Sequence, residues 1–279
     1  MANWTWRAVR TYLVDRFDVR LGKSACLRYL HRLGFVWKRP KKRLTKADAA
    51  RRAAFVEAYL GLVAEAERTG ATIFFVDEAH FRADGDLRGM WVRKGAPALV
   101  DSSSPRRGEK ASYYSAVCLE TGAVEALELA GNSCAATSVT FLRQLRANHP
   151  GPLIVIWDNG PAHGGDALCA YLATPDLDLR LVRLPAYSPD YNADEAIWDW
   201  IREEVTANTC FGTAAAVRAA VDAFFRGLRD RAAEVRTRCR TALQAAARAL
   251  RHDPTHRPQE VTTYRRTIRQ ADDLALAGV

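Results

Sequence analysis

Three acidic residues in this sequence each follow or close a distinctive segment, and together they are suited to hold hard divalent cations. Asp77 follows Ile73-Phe-Phe-Val76, and Asp158 follows Ile154-Val-Ile-Trp157. Glu195 closes the segment Leu184-Pro-Ala-Tyr-Ser-Pro-Asp-Tyr-Asn-Ala-Asp-Glu195. Carboxylate oxygens suit Mg²⁺ or Mn²⁺, and two such ions can activate water and stabilise the leaving 3′-oxygen of a phosphodiester. The pattern predicts a metal-dependent phosphodiester-cutting site.

Each acid also has a structural interpretation. An aspartate at a strand end commonly caps the next turn, which would explain Asp77 or Asp158 without chemistry. Asn192 and Glu195 have nearly the spacing of a capping box at a helix start. Helical spacing places both Asp194 and Glu195 at the border of the buried stripe, so it does not choose between them.

The elements that must position these acids alternate along the chain. Apolar runs predict strands over 72–77, 89–93, 112–119, 123–129, 153–158 and 179–184, with helices over 136–145, 166–172 and 193–205. That order indicates an α/β fold with a mixed sheet. Because the carboxyl ends of strands are where open α/β sheets bind ligands, we expect Asp77 and Asp158 to lie close together.

The N-terminal segment has the pattern of a helix-turn-helix. A helix over 5–17 has Thr5 as its cap and Val9, Leu13 and Phe17 on one face, and a second begins at a Ser24 cap and ends at Gly34. The second helix would present Arg28, His31 and Arg32 to a DNA major groove. A short wing strand at 35–37 would follow, and then a basic arm for phosphate contacts formed by Lys38, Arg39, Lys41, Lys42 and Arg43.

A capping sequence at 45–48 predicts a long helix to Arg68 that links this part to the larger domain. We expect four regions: a winged helix-turn-helix at 1–44, a linker helix at 45–70, a catalytic domain at 71–212 and a basic helical extension at 213–279.

Charge is unevenly distributed along the sequence. Residues 1–52 carry 15 Lys and Arg against 3 Asp and Glu, whereas residues 53–212 carry 13 Lys and Arg against 22 Asp and Glu. Basic flanks suit a polyanion such as DNA, and an acidic middle suits cations.

Several classes of protein are disfavoured. No apolar run approaches the length of a membrane span, and no phosphate-binding glycine loop of the G-x-x-x-x-G-K-[ST] type is present, so we expect neither a membrane role nor a nucleotide cofactor. The six cysteines lack C-x-x-C spacing and are predicted to be buried free thiols in a reducing cytosol.

Four motifs together resemble the DDE/D transposases with a ribonuclease H-like core, and within them the bacterial insertion-sequence branch related to mariner elements. The motifs lie at 76–81 (VDEAHF), 91–95 (WVRKG), 157–163 (WDNGPAH) and 184–195 (LPAYSPDYNADE), the last with Trp198 following. The resemblance spans roughly residues 4–211. It implies a mixed five-stranded sheet flanked by helices, with a small winged helix-turn-helix domain in front.

The resemblance also assigns roles. It implies that Asp77, Asp158 and Glu195 are the catalytic metal ligands, which favours Glu195 over Asp194, and that two Mg²⁺ or Mn²⁺ ions are bound. Glu78, Asn159 and His163 become candidates for supporting this site. We expect His163 either to reach the scissile phosphate or a metal-bound water, or to make a helix-start hydrogen bond.

The function implied is cleavage at transposon terminal inverted repeats and strand transfer into target DNA with TA sites, by a homodimer in the bacterial cytoplasm at the nucleoid. Family members carry two N-terminal helix-turn-helix units, of which this sequence shows the second, so we expect weakened end recognition. Two alternatives stay open. One is a decayed or repurposed transposase that only binds DNA, and the other is a ribonuclease H-like, structure-selective nuclease.

Overall fold

The structure is a computed structural model that describes residues 5–37, 46–102 and 110–253. Its contacts divide the chain into two compact units, residues 1–45 and 46–279. In the described part of the chain, every helix is too short or too polar to span a bilayer.

The first unit contains two helices joined by a short turn. Helix α1 runs over Trp6–Phe17, and its first turn is capped by Thr5, whose hydroxyl accepts a hydrogen bond from the Ala8 amide at 3.2 Å. Helix α2 runs over Lys23–Arg32 and is followed by Gly34, which has the left-handed backbone that ends many helices. The predicted helix pair is therefore present.

Three details of the first unit differ from prediction. Helix α2 begins after Gly22, so Ser24 lies within its first turn and does not cap it. Phe17, predicted to share one apolar helix face with Val9 and Leu13, is exposed whereas those two are partly buried, because this small unit has little core of its own. The described residues 5–37 contain no strand, so the wing predicted at 35–37 is not formed there, where a strand finds no neighbour to pair with.

The second unit opens with helix α3 (Ala49–Thr69) and is built on five strands. Asp48 caps α3 by accepting hydrogen bonds from the Ala50 and Arg51 amides, and Gly70 ends it. The strands are β1 (Thr72–Arg82), β2 (Lys110–Val117), β3 (Val124–Leu129), β4 (Leu153–Trp157) and β5 (Leu179–Arg183). They form one mixed sheet in the order β3-β2-β1-β4-β5.

Helices cover both faces of this sheet. The remaining helices are α4 (Ala135–Asn148), α5 (Asp166–Leu172), α6 (Glu195–Glu204), α7 (Ala214–Leu228), α8 (Ala232–Arg238) and α9 (Ala242–Arg251). One core joins the sheet to α3 and α6–α9, and the other joins it to α4 and α5. The central strand β4 is buried along its whole length, as its uninterrupted apolar sequence predicts. This is the expected ribonuclease H-like sheet.

Strand β1 continues beyond the point where the sequence predicts its end. It pairs in parallel with β4 only as far as Phe75, but pairs antiparallel with β2 from Phe75 to Arg82. Asp77 therefore lies inside the strand and not after it. The polar residues looked like a strand end because the partner that extends β1 lies some forty residues later in the sequence.

The segment at 89–93, predicted as a strand, is an irregular connection between β1 and β2. Its aromatic and β-branched residues suit a strand, but they have no neighbouring backbone to pair with, and Trp91 is fully exposed.

The prediction that all six cysteines are buried is wrong in part. All six cysteines are free, but Cys134, directly before α4, and Cys169, on α5, are exposed, and Cys210 is only partly buried.

Candidate active site

Asp77 lies on β1 where the parallel pairing with β4 stops. Side chains alternate between the faces of a strand, so Asp77 shares a face with Phe75 and Ala79, which pack in the same core as the start of α6. Burial raises the pKa of Asp77 well above its ordinary value, and the nearby charge of Glu195 adds to this effect. A carboxyl in this position favours a cation beside it.

Asp158 directly follows β4, as predicted, and is held by hydrogen bonds. Its Oδ1 accepts from the Gly160 amide at 2.9 Å and lies 2.5 Å from His163 Nδ1. Burial is the largest influence on Asp158 and opposes its ionisation, but the hydrogen bonds from His163 and the Gly160 amide and the charges of His163 and Arg183 together outweigh it, so the pKa of Asp158 lies below its ordinary value. Asp158 is therefore a pre-oriented carboxylate with its side chain about half exposed.

His163 is fully buried between two acids, and its ring stacks on Trp157 with centroids 4.1 Å apart. Its second nitrogen, Nε2, lies 2.8 Å from Glu78 Oε2, at ion-pair distance. Burial disfavours the charged ring, but its contacts with Asp158 and Glu78 raise the pKa of His163 to about 9. A side chain so enclosed does not reach a phosphate, so its geometry is that of a residue that positions Asp158.

The loop before α6 is attached to β1 by Asn192. The Asn192 side chain donates a hydrogen bond to the Val76 carbonyl at 3.0 Å, and its Oδ1 accepts from the Asp194 amide at 3.2 Å. Helix α6 begins at Glu195 without a side-chain cap. The capping-box interpretation of Asn192 and Glu195 is therefore wrong, because Asn192 bonds to a distant strand.

The two adjacent acids at the start of α6 have different surroundings. Asp194 is fully buried and accepts a hydrogen bond from the Ser115 hydroxyl at 2.5 Å. Ser115 pairs with Asp77 across β1 and β2, so the Asp194 carboxyl lies next to this pair of residues. Burial raises the pKa of Asp194 well above its ordinary value, against the opposing effect of the Ser115 hydrogen bond. Its position is that of a structural carboxyl.

Glu195 is only partly buried and interacts electrostatically with the other acids. Burial raises the pKa of Glu195, Arg202 opposes this, and the charges of Asp199 and Asp158 add to the rise. Asp77 in turn responds to the charges of both Glu195 and Asp158. The three predicted ligands therefore lie near enough for their charges to act on one another, and we refer to these three carboxylates as the acid cluster.

The chemistry of this cluster fits a divalent cation. The mutual repulsion between hard oxygen donors is relieved when such an ion binds to them. Among the residues that the structure describes, no three His, Cys, Asp or Glu side chains stand ready as a metal-binding group. Asp77, Asp158 and Glu195 therefore have side chains of a type that binds divalent cations, but these side chains do not converge on a common point in this structure.

Two supporting residues frame Asp158. Asn159 donates a hydrogen bond to the Leu184 carbonyl at 2.7 Å, which joins the turn after β4 to the end of β5. Arg183, which the sequence analysis did not single out, donates to the Asp158 carbonyl at 2.8 Å and to the His163 carbonyl. The signal available for it was a charged residue at the end of β5, at the same edge of the sheet as Asp158.

The predicted DNA-contacting residues fall in two groups. Arg28, His31 and Arg32 lie on α2 and are exposed, as a groove-reading helix requires. The basic arm at Lys38, Arg39, Lys41, Lys42 and Arg43 lies outside the described residues. DNA contact by Arg28, His31 and Arg32 stays a prediction, and the exposure of these side chains is compatible with it.

Comparison with known proteins matches both units. A family model described as DDE superfamily endonuclease matches residues 72–218, more than half of the chain, and one described as winged helix-turn helix matches residues 2–59. An insertion element IS630 uncharacterized 39 kDa protein of Shigella sonnei is 23% identical over 211 residues, which cover 74% of this chain. This chain spans 59% of that relative's length.

Solved structures show the same fold. The Mos1 transposase paired-end complex with left transposon end superposes with a TM-score of 0.55 at 18% identity, covering 88% of this chain and 81% of that one. The Mos1 mariner paired end complex with Mn gives 0.58 at 18% identity, covering 88% and 80%. The curated relative is an insertion-element protein and the Mos1 structures share the fold, while the family model that covers more than half of the sequence shows that this chain belongs to the DDE superfamily of endonucleases.

Proposed function

We propose that this protein is a transposase that cuts DNA at the ends of an insertion element and joins the freed 3′-hydroxyl to target DNA at TA sites. The observation that carries the proposal is the acid cluster of a DDE endonuclease domain, with Asp77 on β1, Asp158 directly after β4 and Glu195 at the start of α6. The relatives support the direction of this proposal, since one is an insertion-element protein and others are transposases bound to transposon ends.

We infer that Asp77, Asp158 and Glu195 hold two divalent ions. When bound, such ions activate a water, and later the 3′-hydroxyl, for in-line attack and stabilise the leaving oxygen. The protein's own part is positional. His163 and the Gly160 amide fix the Asp158 carboxylate, while Asn192 holds the start of α6 against β1.

The basic surfaces would bring the DNA to these acids. The exposed side chains of Arg28, His31 and Arg32 on α2 supply a groove-reading face, and the basic arm at 38–43 would add phosphate contacts. We propose that two copies act together on a pair of ends. No covalent enzyme intermediate is needed, because water and the 3′-hydroxyl are the nucleophiles.

The test is Mg²⁺- or Mn²⁺-dependent cleavage, by the purified full chain, of a plasmid that carries the element's own ends. Asp158→Asn and Glu195→Gln are expected to lower cleavage by about 100-fold or more, since each removes a charge from the metal site. Asp199→Asn is the matched control, because Asp199 is one turn further along α6 with its side chain 77% exposed. It should cut at the wild-type rate.

Unchanged metal-dependent cleavage by Asp158→Asn would contradict the assignment. Two other results would favour the alternative functions. Binding to the ends without any cutting by the wild type would identify a DNA-binding protein, and cutting of branched DNA without preference for the ends would identify a structure-selective nuclease.

A further inference from the structure

The side chain of Tyr187 is exposed in a part of the surface where other large apolar groups are covered. It is 50% exposed, on the loop that joins β5 to α6. Among the described residues of the second unit, the other exposed large hydrophobic side chains all lie in the connection between β1 and β2, at 87–99. Tyr187 is therefore a single aromatic ring left accessible to a ligand.

The backbone at Tyr187 suits glycine better than tyrosine. Its φ is +57°, in the left-handed region where a side chain with a Cβ atom is strained. Non-glycine residues held in this region are found disproportionately at active sites and at segments that clamp ligands. If the position served only to turn the chain, glycine would do so without strain, so the ring itself is the feature to be explained.

The start of the loop is attached beside one of the candidate metal ligands. Asn159, the residue after Asp158, donates its side-chain hydrogen bond to the Leu184 carbonyl at 2.7 Å. Tyr187 follows Leu184 by three residues, so the distance between the Cα atoms of the two residues is at most about 10 Å. The ring is thus held within a short distance of the turn that carries Asp158.

The other end of the loop is attached beside Asp77. Asn192 donates to the carbonyl of Val76, the residue before Asp77, at 3.0 Å. Between these ends, Arg52 of α3 makes a two-pronged contact with Asp190 at 2.8 and 2.7 Å. The loop is consequently attached at both ends and between them, and it holds the backbone of Tyr187 in place.

A cation accompanies the ring. The Lys46 ammonium lies 5.6 Å from the centre of the Tyr187 ring, and no carboxylate pairs with it among the described residues. One ring face is therefore associated with a positive charge, while half of the side chain stays open to solvent. An aromatic face beside an unpaired cation matches a nucleotide, which offers a base to stack and a phosphate to contact.

We propose that Tyr187 stacks on an unpaired DNA base next to the scissile phosphate, with Lys46 at the neighbouring backbone phosphate. This rests on the proposed function, because it takes the acids to be where DNA is cut. The base must be unpaired, since both faces of a base inside a duplex are already covered by its neighbours. Stacking of this kind accepts any base, so Tyr187 would recognise an open or frayed end and not a sequence.

The experiment measures binding of the full chain to two DNA hairpins without metal, so that no cutting occurs. One hairpin is blunt, and the other has a four-nucleotide single-stranded 3′ extension that contains one 2-aminopurine. The wild type should bind the extended hairpin more tightly and quench its 2-aminopurine. Tyr187→Phe should keep both properties within about two-fold, because phenylalanine also stacks.

Tyr187→Gly should lose the quenching and about ten-fold of the affinity for the extended hairpin, while its thermal midpoint stays at or above that of the wild type. Tyr171→Ala is the control, since Tyr171 also has a cation near its ring, Arg143 at 5.4 Å, but packs against the other core. It should bind and quench as the wild type does.

Wild-type binding and quenching by Tyr187→Gly would overturn the inference, and so would loss of both by Tyr187→Phe. The two proposals fail separately. If the wild type cuts DNA but Tyr187→Gly still quenches, the stacking inference is wrong and the proposed function stands. If Tyr187 governs quenching but the wild type never cuts, Tyr187 stacks on an unpaired base as inferred, whereas the proposed function, and with it the place of that base beside a scissile phosphate, is wrong.

Discussion

At the scale of residues, two neighbouring acids show how position decides chemistry. Asp194 is fully buried against Ser115, whereas Glu195 is partly open and interacts with the charge of Asp158. Successive residues at a helix start point about 100° apart, so one side chain enters the core while the next faces the cluster of acids. The two adjacent carboxyls therefore differ in burial and in partners, and we propose that Asp194 has a structural role and Glu195 a role in the chemistry.

Substitutions should separate these roles. Asp194→Ala is expected to lower the free energy of unfolding by about 1–3 kcal/mol, because the buried Ser115 hydroxyl loses its acceptor. Glu195→Gln should keep or raise stability in the absence of metal, because it removes charge repulsion from the cluster, but it should lose cleavage. Urea unfolding and plasmid cleavage measure the two effects.

The control for this pair is Asp194→Asn, which keeps an acceptor for Ser115 and a neutral side chain. It should be more stable than Asp194→Ala and still cut DNA. Wild-type cleavage by Glu195→Gln, or full stability of Asp194→Ala, would show that the two acids have been assigned the wrong roles.

At the scale of elements, the loop from β5 to α6 owes its position to a clamp from α3. Arg52 makes two hydrogen bonds to Asp190, and its guanidinium lies 3.9 Å from the centre of the Tyr191 ring. Tyr191 is buried and stacks on Phe55 of the same helix. The helix that the sequence suggested as a linker is thus part of the support for the proposed active site.

Loss of the clamp should weaken folding by a modest amount that depends on pH. Arg52→Ala is expected to lower the free energy of unfolding by about 1 kcal/mol, since half of the Asp190 side chain is exposed to screening water. The hydrogen bond from Arg52 lowers the pKa of Asp190. The stabilisation is therefore present above the unfolded pKa of about 4 and is lost as the pH falls through the lower folded value.

Unfolding titrations from pH 7 down to pH 3 check this, and the gap between wild type and Arg52→Ala should narrow below about pH 4. Arg51→Ala is the matched control, because Arg51 is exposed and pairs only locally with Asp48. A gap that stays constant across this range would show that the ion pair does not contribute and that the lost packing on Tyr191 is the whole effect.

At the scale of the whole molecule, charge is divided along the chain. Residues 1–52 have a net charge of +12, from 15 basic and 3 acidic residues, whereas residues 53–212 have −9, from 13 and 22. Basic residues on a DNA-binding protein release counterions from the phosphates, so affinity falls as salt rises. The acidic part instead carries the proposed metal ligands, so the two functions have opposite electrostatic needs.

This division predicts a salt effect that belongs to the first unit. Replacing both Arg28 and Arg32 by alanine should lower duplex affinity and reduce the slope of log affinity against log salt by about one to two units. Both side chains are exposed on α2, so the thermal midpoint should not change. Arg68→Ala, an exposed arginine near the end of α3, serves as the control and should leave the slope unchanged.

The binding is measured by fluorescence anisotropy on the element's end DNA between 50 and 200 mM salt, a range over which electrostatic binding changes by about 10³-fold or more. An unchanged slope in the double variant would place the DNA contacts elsewhere in the chain.

Much of the architecture follows from local sequence. The order of strands and helices, apart from the strand wrongly predicted at 89–93, was predictable, as were the Thr5 cap of α1 and the acids after Val76 and Trp157, because apolar periodicity and capping act over a few residues. The motif at 184–195 pointed to the family for the same reason. Its residues are contiguous, so they can be read without knowing what packs against them.

What the tertiary structure alone decided are the burial and the partners of those residues. Strand β1 continues past Asp77 because β2 pairs with it, and the Asp194 carboxyl has a hydrogen-bond partner in the core because Ser115, 79 residues away in sequence, lies against it. His163 is enclosed between Glu78 and Asp158 for the same kind of reason. Sequence spacing determines which residues can share a helix or strand, but the charge and exposure of a side chain depend on neighbours that only folding brings together.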